Sequence, residues 1–259
     1  MHLYLKILSI IFMVITFSTL LSACNQSEPD VTRIDTRIPP PIMTLEAGEH
    51  DIGLGGFRLV NRSVIWRDGI LYIPENIDSD APSPLLVWLH GGGGKADSYR
   101  YLFTIAEEYS VVILALDARH NTWDGIDSPF GPDVLFINEA LRHTFERVKI
   151  DPQRIALGGL SDGAAYALAI GRANGDLFTH LVAVAAGQLE PPSPPVGKPK
   201  IFILHGRNDT VYFSFRSKLF IFPQLKSAGY DVRYLEFDGP HWLPASTAHE
   251  VFKWLVKKN

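Results

Sequence analysis

Arg154-Ile155-Ala156-Leu157-Gly158-Gly159-Leu160-Ser161-Asp162-Gly163-Ala164-Ala165-Tyr166-Ala167-Leu168-Ala169-Ile170 decides how this chain is read. The first part is an apolar run, as expected of a strand buried on both faces. The last part reads as a helix. Between them lies Gly159-Leu160-Ser161-Asp162-Gly163, a G-x-S-x-G pentapeptide. Strand, sharp turn and helix are the context in which that pentapeptide forms a nucleophile elbow. The glycines let the backbone turn tightly around a strained serine. The serine oxygen then projects above the sheet, beside the positive end of the new helix. The reaction class this implies is acyl transfer through a serine ester. A serine also caps helices, so the reading depends on finding its partners elsewhere.

Outward from the elbow, strands and helices alternate. Apolar runs at 85–89, 111–116, 181–185, 201–204 and 232–237 read as strands. Segments 99–109, 132–148, 213–228 and 244–257 read as helices. Near the start, 58–66 and 70–74 flank Arg67-Asp68-Gly69, and Asp-Gly between two apolar runs predicts a hairpin. The fold class expected is α/β, a mostly parallel central sheet with helices on both faces. Ligands of such sheets bind at the carboxyl ends of the strands. The connection 187–199 holds Pro191, Pro192, Pro194, Pro195 and Pro199, which forbids a helical lid there, so no large cap domain is expected.

A serine needs a base, and the base needs an orienting acid. In the elbow fold the chain order is serine, then Asp or Glu, then His. Asp209 follows the strand ending at Leu204, in His205-Gly206-Arg207-Asn208-Asp209. His241 follows the strand ending at Phe237, in Asp238-Gly239-Pro240-His241. Ser161, Asp209 and His241 are therefore the candidate triad. Asp238 is expected to shape the loop of His241, and His205 to bond locally. An oxyanion hole needs two backbone N–H donors. One is expected from Asp162, the residue after the serine. The other is expected from His90-Gly91-Gly92-Gly93-Gly94, with Gly92 favoured and Gly91 its nearest rival. That loop is not a phosphate loop, because Leu89 occupies its first glycine position and Lys95 precedes Ala96. Trp123 and Trp242 flank strand ends and are candidates for a substrate pocket, or for simple packing. Carboxylates and histidines show no spaced metal-ligand set, and no cofactor is called for.

These motifs together resemble the α/β-hydrolases. Within that superfamily the chain is similar to bacterial esterases related to polyhydroxyalkanoate depolymerases, feruloyl esterases and the phospholipase/carboxylesterase group. The resemblance rests on Leu89-His90-Gly91-Gly92-Gly93-Gly94, on Asp151-Pro152-Gln153-Arg154-Ile155 leading into the elbow, and on His205-Gly206-x-x-Asp209. It implies the α/β-hydrolase fold, with Ser161 as nucleophile, Asp209 as acid and His241 as base. Asp162 departs from the pattern, since these families often carry a neutral residue there. A carboxylate at that place is expected to discourage anionic substrates.

The N-terminus reads differently. Lys6 precedes a nearly unbroken apolar run, Ile7 to Leu21, which suits a signal-peptide core better than a membrane span. The run closes on Leu21-Ser22-Ala23-Cys24, which resembles the bacterial lipobox, with lipid attached at Cys24, the only cysteine. The expected division is a lipoprotein signal peptide over 1–23, a lipidated N-terminus and Pro-rich tether over 24–52, and a catalytic domain over 53–259. The expected location is the bacterial cell envelope, membrane-anchored and facing outside the cytoplasm. A net charge of −4 and the absence of lysine-rich blocks argue against a nucleic-acid partner. The leading function is a serine carboxylic-ester hydrolase acting on a small-molecule or polymeric ester. The alternatives are a serine peptidase on the same triad and a non-catalytic binding protein that keeps the fold. The oligomeric state is not legible.

Overall fold

The apolar runs pair into one twisted sheet. In the computed structural model, which describes residues 30–39, 41, 45–60, 63–78 and 80–257, eight strands take the order β1-β4-β6-β5-β7-β8-β9-β10. They are β1 (Gly48–Asp51), β4 (Gly69–Ile73), β5 (Ser83–Leu89), β6 (Val112–Leu116), β7 (Ile150–Leu160), β8 (His180–Val184), β9 (Lys200–Gly206) and β10 (Val232–Phe237). β2 (Gly56–Val60) and β3 (Ser63–Arg67) pair separately as a two-stranded ribbon. The pairs β1–β4 and β4–β6 are antiparallel, and every pair from β6 to β10 is parallel. Six strands therefore deliver their carboxyl ends to one edge. The expected α/β sheet is present.

Side chains alternate across the sheet, as strand geometry dictates. Leu85, Val87 and Leu89 of β5 belong to one core layer, with Ile137 and Leu141 of α2 (Pro132–Phe145) and Ala167 and Ile170 of α3 (Asp162–Ala173). Leu86 and Trp88 belong to the opposite layer, with Leu102 of α1 (Tyr101–Tyr109) and Phe252 and Leu255 of the last helix, Ala245–Val256. Both faces of β5 are buried, which explains its unbroken apolar reading. The helical segment expected at 213–228 comprises α4 (Ser214–Arg216), a wide π turn (Ser217–Ile221) and α5 (Phe222–Ser227). The last helix is α6. Between β8 and β9 the chain forms no helix, so this connection carries no cap.

Two expectations need correction. Asp68-Gly69 is not a hairpin turn: β4 leaves β3 behind and pairs with β1 and β6. Asp68 is buried, with its carboxylate accepting the Gly53 N–H at 2.9 Å and its carbonyl accepting the Asp117 N–H at 2.8 Å. Gly69 serves close packing, since a Cβ there would meet Ile52 and Leu116 side chains at 2.7 Å. The expected tether also ends earlier than read. From Val31 the chain groups with the domain, and β1 lies before the expected boundary at 53. Ile34 is wholly buried in the core. Its N–H donates to Asn174 Oδ1 at 2.8 Å, and Arg33 and Arg37 both reach Asp176. Burying one isoleucine contributes about 1.5–3 kcal/mol, and the Asn174 and Asp176 contacts add to it. The expected signal peptide and Cys24 lie outside the described residues. Among the described residues, no helix is long and apolar enough to cross a membrane.

Candidate active site

Ser161 sits between β7 and α3 with φ 56° and ψ −118°, a conformation non-glycine residues rarely adopt. Holding it requires about 1–3 kcal/mol from the surroundings. The supply is visible. Ser161 N–H donates to Val184 O of β8 at 2.9 Å, and its carbonyl accepts Ala165 N–H at 3.0 Å. The strain falls on the serine, and the two flanking glycines serve close approach. A Cβ on Gly159 would lie 2.5 Å from Leu89 O, and one on Gly163 would lie 2.4 Å from His90 O. The turn is thus packed directly against the end of β5.

That end of β5 opens the glycine loop, which is pinned on both sides of Gly92. His90 is fully buried. Its Nε2 accepts the Ala118 N–H at 2.9 Å, so its Nδ1 carries the proton and donates to Gly91 O at 2.7 Å. Burial holds this imidazole below its ordinary pKa, neutral, outweighing the pull of Asp117 and Asp162. Gly91 N–H meets Tyr99 Oη at 3.4 Å, Gly93 N–H donates to Asn121 O at 2.7 Å, and Gly94 N–H donates to Gly91 O at 2.9 Å. Among the described residues, neither Gly92 N–H nor Asp162 N–H has a hydrogen-bond partner. A Cβ on Gly91 would lie 3.3 Å from Ser161 Cβ, so the loop runs beside the serine. The Asp162 carboxylate lies across Gly92 and accepts Thr122 Oγ1–H at 2.7 Å.

Asp209 follows β9 and His241 follows β10. Asp209 is buried, and its carboxylate is saturated with four donors. Oδ1 accepts the N–H groups of Val211 at 2.8 Å and Tyr212 at 2.9 Å. Oδ2 accepts His241 Nδ1–H at 2.6 Å and His205 Nε2–H at 3.0 Å. Burial pushes this carboxyl up, yet the His241 bond and the two backbone bonds outweigh it, leaving it below the usual carboxylate range. Because an ionised carboxylate only accepts, His241 carries its proton on Nδ1, and its Nε2 keeps a lone pair. The rival acid, Asp238, is exposed and paired with Arg207.

His205 does more than its expected local bonding. It is wholly buried, and its Nε2 also faces Tyr212 O at 2.6 Å, while Nδ1 faces Ser217 Oγ at 2.8 Å. It thus ties Asp209 to the segment that follows. The two tryptophans part company. Trp123 is 0% exposed, donates its Nε1–H to His90 O at 2.8 Å and stacks on Tyr166, so it packs against the glycine loop. Trp242 is 38% exposed and stacks on Tyr99. Among the described residues, no group of three or more His, Cys, Asp or Glu could hold a metal ion.

Solved structures share this architecture at low sequence identity. Esterase PE8 aligns with a TM-score of 0.58 at 21% identity, over 73% of this chain and 97% of that one. The S-formylglutathione hydrolase FrmB of Staphylococcus aureus aligns with a TM-score of 0.59 at 15% identity, over 83% and 99%. A ferulic acid esterase of Anaeromyces mucronatus aligns with a TM-score of 0.55 at 19% identity, over 85% and 96%. The chain has the α/β-hydrolase fold. At these identities the likeness speaks to fold alone. No protein-family model and no curated protein matches the sequence. In α/β-hydrolase terms, the strained serine, the glycine loop and the Asp209–His241 pair all stand on the carboxyl edge of one sheet.

Proposed function

We propose that this α/β-hydrolase is a serine carboxylic-ester hydrolase. The observation that carries the reading is the strained Ser161 turn, packed against a glycine loop with one unengaged N–H, on the same sheet edge as the hydrogen-bonded pair of buried Asp209 and half-buried His241. The similar structures include esterases and an S-formylglutathione hydrolase, which favours ester over amide substrates. His241 Nε2 takes the proton of Ser161 Oγ as that oxygen attacks the ester carbonyl carbon. The carbonyl electrons move to oxygen, and the oxyanion is received by the N–H groups of Gly92 and Asp162. Collapse expels the alcohol, which takes its proton from His241 and leaves the acyl group on Ser161. A water repeats the sequence and releases the acid. Asp209 holds Nδ1–H throughout and stabilises the imidazolium. The Asp162 carboxylate beside Gly92 disfavours an acyl group with its own negative charge.

The Leu21-Ser22-Ala23-Cys24 run supports an N-terminal lipid on Cys24 and a membrane anchor in the bacterial cell envelope, facing outside the cytoplasm. Mass spectrometry of the native N-terminus would find lipid-modified Cys24. An unmodified Cys24 peptide would remove the anchor.

The direct test is hydrolysis of short-chain nitrophenyl esters, with a peptide anilide alongside. The folded wild type should cleave the esters, and Ser161→Ala should lose about 10⁵-fold or more in turnover while unfolding at the same temperature. Turnover near wild type in folded Ser161→Ala would overturn the assignment. Cleavage of the anilide in place of the esters would make the protein a peptidase.

A further inference from the structure

The segment after Asp209 is built against the usual rule for a surface helix. Along residues 214–227 the inward positions Ser217, Ile221 and Leu225 are buried. The outward face should be polar. Instead Val211, Phe213, Phe215, Leu219 and Phe220 are each 50–62% exposed, and Phe213 and Phe215 stack on one another in the open. A second apolar face on a helix calls for a covering partner. A depression of about 260 Å³, lined by Gln188, Phe215, Arg216, Phe220 and Ile221, opens on the same face.

Charge chooses the partner. The chain carries a net −4, but from Thr210 to Tyr230 it has no acidic residue and three cations, Arg216, Lys218 and Lys226. Arg216 and Lys218 alternate with the exposed apolar side chains. Lys218 stands 3.6 Å from Glu236, and the Arg216 guanidinium lies over the Tyr212 ring. Aromatic and aliphatic side chains interleaved with Arg and Lys on a short helical surface suit the headgroup boundary of an anionic bilayer. The segment is also joined to the site. Tyr212 meets the His241 ring edge-on at 5.7 Å, and Ser217 bonds His205.

We propose that residues 211–220 dock this protein on an anionic lipid surface, at a place adjoining His241. The proposal is independent of the ester chemistry and of any lipid on Cys24.

Peptide-resolved hydrogen exchange on the full chain tests it without relying on activity. With vesicles of phosphatidylcholine and phosphatidylglycerol, amides of 211–222 should slow by about tenfold or more, and those of α3 should not change. With phosphatidylcholine alone the slowing should be much smaller. The triple variant Phe215→Ser/Leu219→Ser/Phe220→Ser should lose the effect, and Phe215→Leu/Phe220→Leu should keep most of it. Arg216→Glu/Lys218→Glu should remove the preference for the anionic lipid. Unchanged exchange of 211–222 in wild type under vesicle excess would overturn the proposal. So would protection that rises with protein concentration without vesicles, which would make the partner a second copy of the chain.

Discussion

Two connections leave the carboxyl edge of the sheet with buried aspartates, Asp209 after β9 and the pair Asp124 and Asp133 after β6, and they use them for opposite ends. In the loop after β9, Asp209 accepts two backbone N–H groups and two imidazoles. In the loop after β6, Asp124 and Asp133 each accept the other's backbone N–H at 2.8 Å. Asp124 also takes Gly131 N–H and Tyr166 Oη–H, and Asp133 takes Arg119 N–H. Exposure hardly separates them, at 3% for Asp209 and 1% for Asp133. Their neighbours do. Asp209 faces two imidazoles, whereas Asp133 faces another carboxylate, with the Arg119 charge only partly opposing it. Burial lifts Asp133 to about 6, its backbone bonds only partly opposing, with Asp124 adding to the rise. The partner a buried carboxylate is given sets what it holds: two imidazoles at Asp209, a loop at Asp124 and Asp133.

The widest separation should come from removing each role. Asp209→Asn should lower turnover by about 10³–10⁴-fold, since the amide cannot hold His241 in the needed tautomer or stabilise its cation. Its thermal unfolding should move little by comparison. Asp124→Ala should do the reverse. It leaves Gly131 N–H, Asp133 N–H and Tyr166 Oη without an acceptor, at about 1–3 kcal/mol for each group left buried and unpaired. Urea unfolding should show a loss of several kcal/mol, with kcat of the remaining folded protein within a few-fold of wild type. A turnover collapse in Asp124→Ala, with Asp209→Asn mild, would invert the comparison.

Titration sharpens it next. With selectively ¹³C-labelled aspartate carboxyls, Asp133 should titrate near 6 and Asp209 below the usual value of about 3.9. The stability consequences have opposite signs. Asp133 is raised on folding, so the folded state binds more protons than the unfolded state between about pH 4 and 6, and its contribution improves as pH falls through that window. Asp209 is lowered, so its contribution is present above about pH 4 and is lost as pH falls through its folded value. Two carboxyls titrating together near 4 would mean that their partners do not separate them.

How much of this the sequence discloses follows from the range of each interaction. The parallel strands are legible because each buries both faces and so reads as an unbroken apolar run, as in Leu85-Leu86-Val87-Trp88-Leu89. The strand-end positions of Ser161, Asp209 and His241 follow from the same runs. What escapes is decided by partners far away in the chain. Asp68-Gly69 has the composition of a hairpin, yet its carboxylate answers Gly53 and its carbonyl answers Asp117. Ile34 stands between Arg33 and Asp35 in a short stretch rich in polar residues, and its burial is explained by Asn174 and the core it enters. Trp123 beside a strand end looks like a pocket wall until His90 O and Tyr166 are found around it. The four-donor saturation of Asp209 left one signal, His205 four residues before it and on the preceding strand.

That fourth donor gives the smallest effect and the finest test of the comparison. His205 touches no reacting atom, so its influence must pass through Asp209. His205→Leu removes the donor to Oδ2 and leaves Tyr212 O and Ser217 Oγ without their bonds. A hydrogen bond to a charged group is worth about 1.5–3 kcal/mol, and losing it frees the carboxylate to shift against His241, so turnover should fall by roughly three- to tenfold through lost positioning. A carboxylate with fewer donors holds a cation more tightly, so the acid limb of the kcat/KM profile should move to higher pH. His205→Gln, which can still offer an N–H near the Nε2 position, should recover most of both. A variant that merely loosens the fold would lower the melting temperature and leave the acid limb in place. That outcome would return His205 to the class of Asp124, a loop tie and nothing more.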